Sequence, residues 1–309
     1  MEAYHSGQLL QYIQQRFTVS ESSSVNYPYV AVTVDSLLSA VHFPENTSPE
    51  WIAHKSLAVN LSDLASMGAK PLSISLGLVL PQWNKVWVKQ FISGFDQLQS
   101  RYNFQFTSCD VKPGPLSITI QAYGGLKNKN GLLRSSAQPG DLIFVTNTIG
   151  DAACAWSYVS SDHPIPEAHK DFLEQRFNLP QPQVEVGLCL NGLANAAIDI
   201  SDGLAADLQH ILEASEVGAI LDIESMPSSH ALQSLTTSDQ RYNYQLSGGD
   251  DYELCFTVSS DKRNEMQNRL SKLGVNVTEV GKVTSGSELC YQQNGHLIKL
   301  DVGGYDHFK

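Results

Sequence analysis

The stretch Ala197-Ile198-Asp199-Ile200-Ser201-Asp202-Gly203-Leu204 constrains this chain more than any other. Its apolar first half reads as a buried strand. Ser-Asp-Gly stops that strand at the entry to a helix running from Leu204 to about Glu213. Two carboxylates three residues apart sit where strand becomes helix, and the glycine beside them lets backbone approach a ligand closely. Oxygen-only ligands in an irregular turn suit a hard cation such as Mg²⁺. Taken alone, these eight residues are better served by a second reading, an aspartate cap and a turn.

The chain has 309 residues, 42% of them hydrophobic, enough for two domains of ordinary size with a real core. It contains no run of 18 apolar residues, so no membrane span is expected. The first residues lack a basic stretch leading into an apolar one, so no secretion signal is expected. Five scattered cysteines without a Cys-x-x-Cys pair argue against a zinc site or disulfide framework and fit a reducing cytoplasm. A formal net charge of −12 disfavours nucleic acid or an anionic membrane as the main partner.

Periodicity gives mixed α/β structure in two halves, residues 1–137 and 138–309, divided by Pro139-Gly140-Asp141. A short helix is predicted over 8–17 and a polar loop over 18–27. Val30, Val32 and Val34 share one face of a strand that ends at Asp35. Ser48-Pro49-Glu50 starts a helix that Gly68 ends, with Asn60 and Asp63 off its apolar stripe. Leu72 to Leu80 alternates as a strand, and Val88 to Leu98 reads as one helix. Strands follow over Phe104 to Cys109 and from Leu116 to Gly124-Gly125. The second half offers strands at Leu142 to Thr146, Ala219 to Ile223 and Glu253 to Val258, then over 275–282 and 297–301. Its helices are predicted after Asp151, around 166–177, near 184–194 and over 261–273.

Asp35, Asp110 and Asp199 each fall at or near the end of an apolar strand, where α/β proteins commonly bind ligands. Asp63 falls in a helix and Asp202 at a helix start. One such aspartate needs no function, because strands stop at polar residues. Several together, beside Gly-rich turns, point to a shared polyphosphate–magnesium site. Neither a Walker Gly-x-x-x-x-Gly-Lys-Ser/Thr nor a kinase-type Gly-x-Gly-x-x-Gly is present.

The motifs resemble bacterial thiamine-monophosphate kinases, in the superfamily of aminoimidazole ribonucleotide synthetase and selenophosphate synthetase. The resemblance rests on Val-Asp-Ser-Leu-Leu-Ser-Ala-Val-His-Phe (34–43), His-Lys-Ser-Leu-Ala-Val-Asn-Leu-Ser-Asp-Leu-Ala-Ser-Met-Gly-Ala-Lys-Pro (54–71) and Gly-Pro-Leu-Ser-Ile-Thr-Ile (114–120). It continues through Arg-Ser-Ser-Ala-Gln-Pro-Gly-Asp (134–141), the opening stretch, Ser-Gly-Gly-Asp-Asp-Tyr-Glu-Leu-Cys-Phe (247–256) and Gly-Tyr-Asp-His-Phe (304–308). It covers nearly the whole chain, in order.

The resemblance implies two α/β domains of the aminoimidazole ribonucleotide synthetase type, with N-terminal strands of two subunits forming a barrel in a homodimer. It implies transfer of the γ-phosphoryl of ATP to thiamine monophosphate, with Mg²⁺ between acidic side chains and the phosphates. By position it assigns Thr33, Asp35, Asp63, Asp110, Asp199 and Asp202 to the metal, with Asp202 as the catalytic candidate. Tyr102, Cys109, Asp110, Arg134 and Ser201 fall at the ATP positions. His42, Asp250 and Tyr305 fall where thiamine monophosphate would be held. Arg134 suits charge-assisted bonds to phosphate, and Tyr305 suits stacking on a flat heterocycle.

The chain also departs from that pattern. The family's Gly-Ile-Gly-Asp-Asp segment is replaced by Ser-Glu-Ser-Ser-Ser-Val-Asn-Tyr-Pro (20–28), and no aspartate precedes Asp35. Gly-Gly-Asp-Thr becomes Ser108-Cys109-Asp110-Val111, Val34 replaces a hydroxyl, and Asp250 replaces a glutamate. These changes cluster at the nucleotide–metal site. They give the alternative expectation of a catalytically degenerate relative that binds ligand or acts as an interaction protein.

Overall fold

A computed structural model of the chain describes residues 12, 13, 16, 27–300 and 302–304. Most of the predicted helix over 8–17, most of the loop over 18–27, and Tyr305 lie outside the described residues. The chain divides into two compact units, Met1–Leu64 with Ala69–Lys129, and Ala65–Gly68 with Asn130–Lys309.

The first unit runs β1 (Tyr29–Leu38), α1 (Pro49–Ser66), β2 (Lys70–Leu80), α2 (Lys85–Ser93), α3 (Asp96–Tyr102), β3 (Gln105–Pro113) and β4 (Ser117–Leu126). Its strands form an open sheet in the order β1-β4-β2-β3. The β1–β4 and β4–β2 pairs are antiparallel, and β2–β3 is parallel. Ser48 caps α1 as expected, its Oγ accepting the Trp51 N–H at 3.3 Å. The helix ends at Ser66, two residues before Gly68, whose φ of 64° is the left-handed conformation of a helix stop.

Three expectations change here. The strand containing Asp35 does not end there, because Ser36 and Leu37 go on pairing with Thr119 and Ile118. Asp110 likewise lies inside β3 rather than at its end. The single helix expected over Val88 to Leu98 is two, broken at Gly94. A Cβ on Gly94 would come within 2.1 Å of the Glu50 carbonyl oxygen, so the break sits where this segment presses on α1.

The valines of β1 share one face, as expected, and that face is the exposed one. Ala31, Thr33 and Leu37 face the core, whereas Val30, Val32 and Val34 are 58%, 50% and 61% exposed. Alternation made the strand legible, but it did not say which face is covered. Among the described residues β1 pairs with β4 alone, which leaves it at the edge of the described sheet.

The second unit runs β5 (Leu142–Thr146), α4 (Asp151–Ser160), α5 (Lys170–Asn178), α6 (Val184–Leu190), β6 (Ala196–Asp199), α7 (Leu204–Ser215), β7 (Gly218–Asp222), α8 (His230–Leu235), α9 (Ser238–Ser247), β8 (Leu254–Val258), α10 (Arg263–Ser271), β9 (Val277–Thr284), β10 (Leu289–Gln293) and β11 (His296–Ile298). Its seven strands follow the order β11-β10-β7-β9-β5-β8-β6. Leu204, Leu208 and Ile211 of α7 pack with Ile143, Val145, Ile198 and Leu221 of the sheet. Each such side chain contributes about 1.5–3 kcal/mol through removal from water. That packing fixes the direction in which α7 leaves the end of β6. The periodicity did not indicate β10, α8 or α9.

Candidate active site

In the first unit, strand alternation puts Thr33 and Asp35 on the core-facing side of β1, and α1 brings Asp63 to them. The Thr33 hydroxyl donates to Asp63 Oδ2. Asp35 Oδ2 is buried and accepts no hydrogen bond. Burial first, then the charge of Asp63 and a hydrogen bond to it, push the Asp35 carboxyl up to about 7. Two carboxylates and a hydroxyl thus converge with more acceptor oxygens than donors. Oxygen-rich surroundings with an orphaned carboxylate oxygen fit a hard cation. Among the described residues no three His, Cys, Asp or Glu side chains gather into a metal cluster by themselves. Water or ligand oxygens would complete the shell of an ion held here.

His42 lies in the turn after β1. Its Nδ1 accepts the Leu38 N–H at 3.0 Å, so the neutral ring carries its hydrogen on Nε2 and can donate from there. The His42 carbonyl accepts from Lys55 Nζ at 3.3 Å, and Lys55 is only 2% exposed. A lysine buried within a helix is a signal that the sequence carried and that periodicity alone did not flag.

Sheet register separates Asp110 from this group. One row across the sheet runs Asp35, Ile120, Leu76, Cys109; the next runs Ser36, Thr119, Gly77, Asp110. Adjacent rows point to opposite faces. Cys109 therefore shares the core-facing side, where burial pushes its thiol up to about 12. Asp110 is exposed on the other side and pairs with Lys112 at 2.8 Å. Tyr102, at the end of α3, is buried, with the Arg101 guanidinium over its ring.

In the second unit, Asp199 is buried at the end of β6 and leads into the Ser201-Asp202-Gly203 turn. Gly203 has φ 109°, and a Cβ there would lie 2.8 Å from the Leu246 carbonyl oxygen, so only glycine fits. Asp207, in the first turns of α7, reaches back under this turn. Its Oδ2 accepts the N–H groups of Ser201 and Asp202 at 2.9 and 3.0 Å. Burial raises the Asp207 carboxyl to about 7, although these N–H groups hold it down.

The same turn is tied to Gly249-Asp250-Asp251-Tyr252-Glu253. Asp250 N–H donates to the Ser201 carbonyl at 2.9 Å, and Tyr252 N–H donates to the Ile200 carbonyl at 2.8 Å. Asp250 and Tyr252 both have positive φ, 69° and 51°, conformations that cost energy for residues other than glycine. The Tyr252 hydroxyl donates to Asp250 Oδ1 at 2.9 Å and orients that carboxylate. Behind the loop, Arg176 donates to Glu253 Oε1 at 2.9 Å and lies within 4 Å of Asp151 and Asp251. Arg134 is exposed on its loop, its carbonyl accepting from Ser215 Oγ at 2.8 Å. Gly304, the last described residue before Tyr305, lies against Ala206 and the Asp202 carbonyl.

The family of AIR synthase related proteins matches the chain twice, by the N-terminal domain over residues 23–126 and the C-terminal domain over 138–290. Thiamine-monophosphate kinase of Escherichia coli (strain K12) is 41% identical over 281 residues, covering 90% of this chain and 86% of that one. The chain belongs to the thiamine-monophosphate kinase family.

Solved structures of the family agree in fold. The thiamine-monophosphate kinase of Stenotrophomonas maltophilia K279a superposes with a TM-score of 0.83 at 39% identity, covering 87% of this chain and 86% of that chain. The structure of AaThiL complexed with AMPPCP and TMP superposes with a TM-score of 0.80 at 25% identity, covering 100% and 98%. The two-domain mixed α/β architecture expected from the family motifs is thus the observed one. Of the residues at family positions, the first unit brings together Thr33, Asp35 and Asp63, while Asp110 faces away from them. In the second unit the Asp250 N–H binds the Ser201 carbonyl, and Asp199 and Asp202 flank Ser201 in the chain. Asp207 and Arg176 were missed, although each is a charged residue within an apolar helix stripe. Asp207 lies between Leu204 and Ile211, and Arg176 between Leu173 and Phe177.

Proposed function

We propose that this chain transfers the γ-phosphoryl group of ATP to the phosphate of thiamine monophosphate, giving thiamine diphosphate and ADP, with Mg²⁺ as metal. The observation that carries the reading is the convergence of Thr33, Asp35 and Asp63, with an unsatisfied carboxylate oxygen, in a chain of this family. AaThiL, which shares the fold, is complexed with AMPPCP and TMP, and that supports the same pair of substrates here.

In this reaction a phosphate oxygen of thiamine monophosphate attacks the γ-phosphorus. The new O–P bond forms as the bond to the β-phosphate oxygen breaks, and ADP leaves with that electron pair. A phosphate monoester has its second pKa near about 6, so the attacking oxygen is already largely deprotonated at neutral pH. The protein needs no strong general base, and catalysis is positioning and electrostatics. Thr33, Asp35 and Asp63 are proposed to hold Mg²⁺, and so are Asp199 and Asp202; Asp110, on the opposite face of its sheet, would hold an ion distinct from that of Asp35, and Mg²⁺ would supply charge neutralisation on the phosphates. Arg134, Ser201, Tyr102 and Cys109 are assigned to ATP. His42, through its Nε2–H, Asp250 and Tyr305 are assigned to thiamine monophosphate.

A homodimer is part of the proposal. The exposed valines of an edge strand, Val30, Val32 and Val34, support burial against a second copy. No helix among the described residues is long and apolar enough to cross a membrane. A cytoplasmic location is supported by five free cysteines. The degenerate reading draws on the missing acidic pair. The retained Asp35–Asp63 group and the braced Ser201–Gly203 turn favour the active enzyme. Incubation with ATP, Mg²⁺ and thiamine monophosphate should yield thiamine diphosphate; thiamine phosphate binding without turnover would favour the degenerate relative.

A further inference from the structure

Consecutive backbone N–H groups at the start of a helix commonly bind phosphate. The turn before the 12-residue helix α7 has that form, yet its donors are already taken from within. One oxygen of Asp207 accepts the N–H groups of both Ser201 and Asp202. Asp207 is 2% exposed, so those N–H groups point into the protein. The Ser201 carbonyl is engaged by the Asp250 N–H. What the turn can present to a ligand is therefore the side-chain oxygens of Ser201 and Asp202, both half-buried.

We propose that Asp207 is a positioning residue that makes the Ser201-Asp202-Gly203 turn a holder of cations rather than of anions. The assignment rests on the phosphoryl-transfer reading and deepens it. Asp207 touches neither substrate nor metal. It acts by occupying, with its own carboxylate, the donor set that a phosphate would otherwise use. One oxygen of Asp207 reaches back five and six residues to two amides, a geometry set by the length of the aspartate side chain. Asparagine keeps one acceptor oxygen and brings an NH₂ group into a pocket already rich in donors. Alanine leaves both amides without their acceptor.

The test is calorimetric titration with a non-hydrolysable ATP analogue across a Mg²⁺ series, using wild type, Asp207→Asn and Asp207→Ala. Amide hydrogen exchange at residues 201 and 202 is measured in parallel. The Mg²⁺ concentration for half-maximal nucleotide binding should rise about tenfold or more in Asp207→Ala, as expected for loss of two charge-assisted hydrogen bonds, and less in Asp207→Asn. Exchange at the two amides should quicken while α7 stays protected. A folded Asp207→Ala with wild-type Mg²⁺ dependence overturns the assignment alone. So does failure of both variants to fold, which would make Asp207 a purely structural residue. A wild type that binds the analogue without regard to Mg²⁺ overturns the phosphoryl-transfer reading and this assignment with it.

Discussion

Arg176 Nη1 lies 2.9 Å from Glu253 Oε1, and both groups are removed from solvent. The same guanidinium donates to the Thr148 carbonyl and neighbours Asp151 and Asp251. Glu253 is further held by Thr146 Oγ1 at 2.6 Å and Asn147 Nδ2 at 2.9 Å. This network anchors a loop whose Asp250 and Tyr252 sit in costly backbone conformations. Replacing Arg176 with leucine strands buried carboxylates without their cation and should lower stability by about 3–5 kcal/mol. Chemical denaturation measures this, and a loss under about 1 kcal/mol would refute the anchoring role.

Asp251 gives the network a pH signature. Burial pushes its carboxyl up to about 8, against the pull of Arg176 and of the Gly150 N–H. A folded-state value above the unfolded one means that the fold favours the protonated form. That contribution is complete below the unfolded value near about 4, and it is lost as pH rises towards about 8. The Tm of the metal-free protein should therefore fall across this window. Asp251→Asn should flatten the profile; an unchanged slope in the variant would contradict the assignment.

Asp35 and Asp63 are held together at a cost that a bound cation would relieve. Asp63→Asn removes the charge that helps push Asp35 up. The metal-free variant should melt at or above the wild-type temperature at neutral pH, and its turnover should be abolished. This pairing of retained stability with lost activity marks a functional site rather than a structural one. A variant that is destabilised yet active would be the opposite outcome.

The exposed valines of β1 make a separate prediction. Val32→Glu with Val34→Glu places charge on a face that is solvent-exposed in the single chain, so the fold should persist. Sedimentation equilibrium should show dimeric wild type and monomeric variant. A monomeric wild type would rule the dimer out.

Much of this was legible in the sequence. The strand–turn–helix around Asp199 to Leu204 is legible because an apolar run, Ser-Asp-Gly and a helical stripe agree locally. The cap at Ser48 and the stop at Gly68 were legible for the same reason. The extension of β1 past Asp35 was hidden, because pairing with Thr119 and Ile118 is a long-range fact. The facing of Asp110 depends on register across three strands, which no local pattern encodes. Asp207 and Arg176 were visible as charges in apolar stripes, but their partners come from elsewhere in the fold. Val30, Val32 and Val34 spelled a strand without revealing that their face is the uncovered one.

The most direct measurement is of product. Purified protein incubated with ATP, Mg²⁺ and thiamine monophosphate should form thiamine diphosphate and ADP in equal amounts, and Asp202→Asn, folded, should form none. Absence of thiamine diphosphate, together with nucleotide binding indifferent to Mg²⁺, would contradict phosphoryl transfer by this chain.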